Sequence, residues 1–437
     1  MPYDIIIGRT ESDKELFGKE GLVYLGKGFV KMGQTSSLSN PILMDVARSH
    51  VVLICGKRGS GKSYTLGVLT EEISSLPDEI AKNIAVLIFD TMGIFWTMAY
   101  RNEKEKELLY SWQLESKKIP IRIFVPYGYA NEYKEKGIPV TKSFALKVSE
   151  LSTDDWVVTF GLNFLDDVAI VIQRIIQKLH DTEKDFDLDD IIATIEKDER
   201  ADKKDKDAAI NLFEGARTWG LFAIKGEKGT EVKDIIEGGK PTVLDLSCYS
   251  SIGTFNVRAL VIGLLSKKLF NERMAARKTE EIAAVQHGLD YLYYKEKREM
   301  PLVWLVIDEA HEFLPKDEKT AATDALVQLL REGRQPGISL ALATQQPGVI
   351  HHDALTQSDI VISHRVTAKP DIDALNFIMQ TYLLEDVKTH MNNLPALKGS
   401  AIILDDNSER IYPMRVRPRF TWHGGEAPTA IKIKKRI

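Results

Sequence analysis

The sequence predicts an α/β protein built on a doubly wound, mainly parallel sheet, and three observations carry that reading. Seven short apolar runs recur from residue 50 onward: HVVLICG (50–56), AVLIFD (85–90), IRIFV (121–125), TVLDL (242–246), LVWLVID (302–308), SLALAT (339–344) and DIVIS (359–363). None alternates with period two, which suits strands buried on both faces of a parallel sheet. Helical stretches separate several of them, as SYTLGVLTEEISSL (63–76) follows the first, giving the strand–helix alternation of an α/β fold. Two of the runs also end in chemistry, one at a glycine-rich turn and one at adjacent acids.

Residues 1–45 read as a small β segment, because GLVYLGKGFVKMG is broken by glycine and followed by the loop TSSLSNP. Residues 46–416 hold the α/β core. Within it the sheet signal stops between about 150 and 225, where a helical insertion is expected. NFLDDVAIVIQRIIQKLHD (163–181) has helical apolar spacing, and DLDDIIATIEKDE (187–199) opens with acids that favour a helix N-terminus. The charge run DERADKKDKD reads as a solvated face or loop. A second long helical stretch, about 256–299, precedes LVWLVID and includes the amphipathic DYLYYKEKRE. Residues 417–437 form a tail with turn formers and a basic end, expected to fray or to dock on a neighbouring subunit.

Composition excludes several classes. With 44% hydrophobic and 28% charged residues the 437-residue chain is neither disordered nor fibrous. Its two cysteines, Cys55 and Cys248, make no disulfide framework and point to a reducing interior. The first residues show no secretory pattern, and no apolar window approaches the ~18 residues of a membrane span. A cytoplasmic protein with no membrane partner is therefore expected. A net charge of −5 means that any nucleic acid is held by a local basic surface. Lys/Glu-rich stretches such as NEKEKELL are the composition of a thermophile.

The strongest motif is GKRGSGKS, Gly56 to Ser63, which fits G-x-x-x-x-G-K-[ST] between a buried strand and a helix. Gly56, Gly59, Ser60 and Gly61 let backbone N–H groups wrap a phosphate, and the helix N-terminus adds positive potential. Lys62 would reach the β- and γ-phosphates, and Ser63 would hold Mg²⁺. In LVWLVIDEAHEF the strand ends in two acids: Asp308 for the Mg²⁺ shell and Glu309 to polarise the attacking water. Asp308 lies 245 residues after Ser63, a separation that requires large insertions. His311 has no second metal ligand at suitable spacing and is expected to be a packed or hydrogen-bonded histidine. SLALATQQP places polar Thr344 and Gln345 at a strand tip, where Gln345 could sense the γ-phosphate. Arginines able to stabilise the transferring phosphoryl group, in cis or from a neighbour, are Arg331 and Arg334 in REGRQPG, then Arg48 and Arg365.

Taken together, GKRGSGKSYTLG, IDEAHEFLP, REGRQPGISLALATQQP and RPRFTWHGG resemble the HerA/FtsK branch of RecA-like motor ATPases, HerA-like proteins above all. The likeness covers roughly residues 45–425, and Asp90-Thr91-Met92-Gly93 also looks like the family. The resemblance implies a RecA-like P-loop core and a homo-hexameric ring that hydrolyses ATP with Mg²⁺ to move along double-stranded DNA, with a NurA-like nuclease as partner in end processing or repair. It maps Lys62, Ser63, Asp308 and Glu309 to hydrolysis, Gln345 to sensing and Arg334 to a cis contact, and it places Arg48 near a trans arginine. The N-terminal β segment is shorter than the family's full barrel. Two other readings share these motifs: a nucleotide-gated ring that scaffolds an effector nuclease, and a secretion- or conjugation-type motor.

Overall fold

The computed structural model describes residues 3–32, 35–249, 256–287, 298, 300–379 and 387–426. Its strands are β1 (Ile5–Ile7), β2 (Leu22–Met32), β3 (Thr35–Asp45), β4 (Val51–Cys55), β5 (Ile84–Asp90), β6 (Arg122–Pro126), β7 (Lys142–Phe144), β8 (Thr242–Asp245), β9 (Leu302–Ile307), β10 (Ile338–Thr344), β11 (Ile360–His364), β12 (Ser400–Asp405) and β13 (Arg410–Val416). They form one sheet in the order β1-β3-β2-β13-β12-β11-β4-β10-β9-β5-β8-β6-β7. From β11 to β7 the neighbours run parallel. β12, β13 and β2 join antiparallel. All seven predicted runs are strands of the parallel part.

Those runs are apolar throughout because each strand feeds two cores. Leu53, Phe89, Leu305 and Leu342 face one layer, with the helical insertion and the long helix Val257–His287. Val52, Ile54, Ile88 and Val306 face the other, with the helix Lys62–Ile73 and the N-terminal strands. Each layer takes every second side chain of a strand, as the pleat requires.

The insertion is helical as expected. Ser152 and Asp187 start the helices Thr153–Thr159 and Leu188–Glu196 with capping boxes to Asp155 and Asp190. Helix Asp167–Thr182 buries Val171, Ile172, Ile175, Ile176 and Leu179, one face at helical spacing. Fully buried Trp156 packs against Phe160, Phe213 and Trp219. The charge run is largely exposed and continues into the helix Lys203–Arg217. Residues 288–297 and 299, which hold most of DYLYYKEKRE, lie outside the described residues.

Residues 1–45 contribute the hairpin β2–β3, strand β1 and a helix, Glu11–Phe17, that the β reading did not include. The hairpin bonds to β13 through Gly26, Lys27 and Gly28, so it continues the main sheet. At this junction a Cβ on Gly26 would lie 2.1 Å from the Arg415 carbonyl oxygen, so only glycine permits the approach. The reason for the continuation is that β13 would otherwise leave a row of unpaired N–H and C=O groups at an edge.

The described part of the tail docks on its own chain. Arg417 and Arg419 are fully buried beside Glu71 of helix Lys62–Ile73. Glu71 also accepts from the backbone N–H of Phe420 and Thr421 and from the Thr421 hydroxyl. A buried carboxylate needs that many donors. The arginine charges hold its pKa low against the upward push of burial. Residues 427–437 lie outside the described residues.

Candidate functional site

The predicted site assembles at the carboxyl edge of the parallel strands. Chain order does not suggest this, but sheet order does: β4, β10 and β9 are adjacent, so the loops after Cys55, Thr344 and Ile307 meet. Crevices at this edge are where open α/β sheets bind ligands.

The turn Gly56–Ser63 joins β4 to helix Lys62–Ile73, with Gly61 as N-cap at φ 114°. Gly59 is at φ 74° with open space on its Cα. Lys62 is buried, and its Nζ donates to the Lys57 carbonyl at 3.3 Å. Burial pushes its pKa down, while the Glu309 and Asp308 charges resist. Ser63 Oγ donates to Asp308 Oδ2 at 2.5 Å, closing the gap of 245 residues. Asp308 is pushed up to about 6 by burial, against the hydrogen bond from Ser63.

Glu309 stands in the left-handed region at φ 50°, ψ 43°. That backbone is strained for a residue with a Cβ, and such strain collects at functional sites. It turns the carboxylate toward Gln345, whose Nε2 donates to Oε1. Oε2 is buried and accepts no hydrogen bond among the described residues. Burial raises the Glu309 pKa, opposed by Gln345 and Lys62. His311 Nδ1 lies 3.3 Å from Thr344 Oγ1 and 3.7 Å from Glu309 Oε2, so it is the hydrogen-bonded histidine expected. Among the described residues no group of three or more His, Cys, Asp or Glu side chains could hold a metal ion. A Ser63–Asp308 pair is the smaller donor set of a phosphate-bound Mg²⁺.

Two predicted arginines are elsewhere. Arg48 precedes β4 and Arg334 precedes β10, so both sit at the amino edge. A strand rises about 3.3 Å per residue, which puts that edge roughly 20 Å from the phosphate loop. The expected cis contact of Arg334 is therefore not made. Arg334 is exposed and lines a cavity of about 380 Å³ with Asp359, Asp405, Asp406 and Arg410. Arg48 donates to Asp13 at 2.8 and 3.1 Å and lies over the Phe17 ring. Arg331 pairs with Asp353 at 2.6 Å. Arg365 follows the carboxyl end of β11, and its carbonyl accepts from Lys57 N at 3.1 Å.

Sequence reasoning missed two groups at this edge. Asp245 lies in register beside Asp90 at the ends of β8 and β5. Both carboxyls are buried and raised in pKa, Asp90 by burial and then by the charge of Asp245. Asp90 caps its loop, accepting from the N–H of Met92, Gly93 and Phe95. The signal was present, since an acid closes AVLIFD and stands next to last in TVLDL. His364 was missed as well, and a histidine closing an apolar run gives no comparable signal.

The sequence profile of the HerA helicase central domain matches residues 30–268. This chain belongs to that family. A relative in Methanocaldococcus jannaschii, named "Probable DNA double-strand break repair helicase HerA", is 30% identical over 153 residues, 32% of this chain and 29% of that protein. The DNA double-strand break repair helicase HerA of Saccharolobus solfataricus is 23% identical over 409 residues, 92% of this chain and 70% of that one. Among solved structures, VirB4 of Thermoanaerobacter pseudethanolicus superposes with a TM-score of 0.53 at 11% identity, covering 91% of this chain and 96% of that one. That likeness establishes the P-loop ATPase fold. Among the described residues no helix is long and apolar enough to cross a membrane.

Proposed function

We propose that this protein is an ATP-driven motor of double-stranded DNA, working as a homo-hexameric ring in DNA end processing or repair with a nuclease partner. The observation that carries the reading is the convergence of Lys62, Ser63, Asp308, Glu309 and Gln345 on one crevice from three separate segments. Membership of the HerA family supports the DNA substrate.

ATP binds with its phosphates in the turn Gly56–Ser63, and Lys62 neutralises the β- and γ-oxygens. Ser63 and Asp308 would hold Mg²⁺, which would supply positive charge against the phosphates. Glu309 takes a proton from the attacking water at Oε2, the oxygen that accepts no hydrogen bond among the described residues. Gln345 reports the γ-phosphate by exchanging its bond to Glu309 for one to the nucleotide. Arg334 is too far from the loop to serve its own nucleotide. DNA is gripped through its phosphates by a few basic residues per subunit, largely without regard to sequence.

Steady-state ATP hydrolysis with and without linear duplex DNA, at two salt concentrations, tests this. Stimulation by DNA that fades as salt rises is expected. Hydrolysis indifferent to DNA, with no movement along it, would overturn the DNA-motor reading.

A further inference from the structure

His364 ends β11 directly against the phosphate loop and is fully buried. Its Nδ1 lies 3.1 Å from the Ser400 carbonyl on β12, and its Nε2 lies 2.9 Å from Thr65 Oγ1 in the first turn of the loop helix. A carbonyl only accepts, so Nδ1 carries the proton, and the single Thr65 hydroxyl proton lies between two acceptors, Nε2 at 2.9 Å and the Gly61 carbonyl at 3.0 Å. Burial takes the imidazole down to about 4 and keeps it neutral beside Lys62. Its carbon atoms lie against the loop: a Cβ on Gly56 would come within 2.7 Å of His364 Cβ, too close to fit, and one on Gly61 would be in ordinary contact with Cε1 at 3.5 Å. The next residue continues the contact, since the Arg365 carbonyl holds Lys57 N and the Lys57 carbonyl holds Lys62 Nζ.

We propose that His364 is a positioning residue for nucleotide binding: its Cβ packs against Gly56 and its imidazole against Gly61 and Thr65, fixing the loop curvature that aims Lys62 and Ser63 at the phosphates. The inference rests on the ATP-hydrolysing reading above. A loop braced before the nucleotide arrives loses less conformational freedom on binding, which favours affinity. The ring touches no reacting atom, so its loss weakens substrate and transition state alike, raising KM and leaving kcat nearly unchanged.

The test uses the full chain with His364→Leu, which keeps bulk but no polar atom, His364→Gln, which keeps a donor and an acceptor, and Thr65→Val. Magnesium-ADP affinity is measured by calorimetry, KM and kcat by steady-state hydrolysis, and folding by thermal melting. His364→Leu is expected to bind ADP about tenfold more weakly and to raise KM by a similar factor, the loss of about one buried hydrogen bond. His364→Gln recovers most of that loss, and Thr65→Val shares it. Wild-type ADP affinity and KM in His364→Leu would overturn the inference and leave His364 as filler. Should His364→Leu fail to fold, wild-type values in Thr65→Val overturn it equally. Absence of nucleotide binding in the unaltered protein sinks the ATP-hydrolysing reading itself, an outcome distinct from either.

Discussion

At the carboxyl edge of the sheet two buried acids, Glu309 and Asp245, each keep one oxygen without a hydrogen bond among the described residues, while Asp45 near the amino edge is bonded at both oxygens. Asp308 and Glu309 are both raised in pKa by burial, and one oxygen of Glu309 accepts no hydrogen bond among the described residues. Asp45, the last residue of β3, bonds to the guanidinium of Arg9 and to Nε2 of His50 just before β4, and His50 Nδ1 meets Asp359 at 2.6 Å. Burial alone would raise Asp45, but His50 and Arg9 hold it low. The two buried histidines divide the same way. Burial takes His364 down to about 4, whereas Asp359 and Asp45 outweigh burial and lift His50 to about 9. The contrast separates a candidate catalytic site from a structural clamp: buried acids raised in pKa mark the first, and fully paired charge marks the second.

The largest effect expected is at the carboxyl edge. Glu309→Gln should lower hydrolysis by about 10²–10⁴-fold, the usual contribution of a general base, while ATP binding persists. Single-turnover hydrolysis with parallel equilibrium binding checks this, and a surviving rate would assign the base elsewhere. At the clamp, Asp45→Ala strands buried Arg9 and His50 and should cost about 3–5 kcal/mol of stability by urea unfolding. A much smaller loss would break the comparison.

His50 sharpens the comparison through pH. Its folded pKa, about 9, lies above its ordinary 6.5, so its stabilisation is complete below about 6.5 and lost as pH rises through about 9. The urea midpoint should fall over that window in the wild type, and His50→Gln should flatten the fall. A midpoint equally steep in both would remove His50 from the clamp. The smallest effect belongs to Arg48→Ala, which removes a partly exposed pair with Asp13 and should change stability by no more than about 1 kcal/mol. If turnover falls sharply while stability holds, Arg48 belongs to a neighbour's site instead.

Much of this was legible in the chain, because strands buried on both faces leave unbroken apolar runs and because the phosphate loop depends on residue types at fixed spacing. The pairing of Asp308 with Ser63 followed from function rather than from any local pattern. β12 and β13 were not legible. RIYPMRV carries two arginines and a proline, and it becomes a strand only because β12 and β2 flank it. Arg334 was misplaced for a geometric reason: REGRQPG adjoins the Gln345 strand in sequence, yet it lies before that strand, at the wrong end. The docking of Arg417 and Arg419 on Glu71 links residues some 350 positions apart and leaves no trace in either segment.

That docking also sets an order of events during synthesis. Glu71 lies on the helix that carries the phosphate loop, but its counter-charges and two of its backbone donors come from Arg417 to Thr421. Until those residues leave the ribosome, the helix can shelter its inner carboxylate only by keeping it in water or by protonating it. The loop helix is thus among the first segments made and the last to be locked, a high-contact-order arrangement that slows the final step. A nascent chain cannot pair Glu71 with these partners before nearly all of the described chain has emerged.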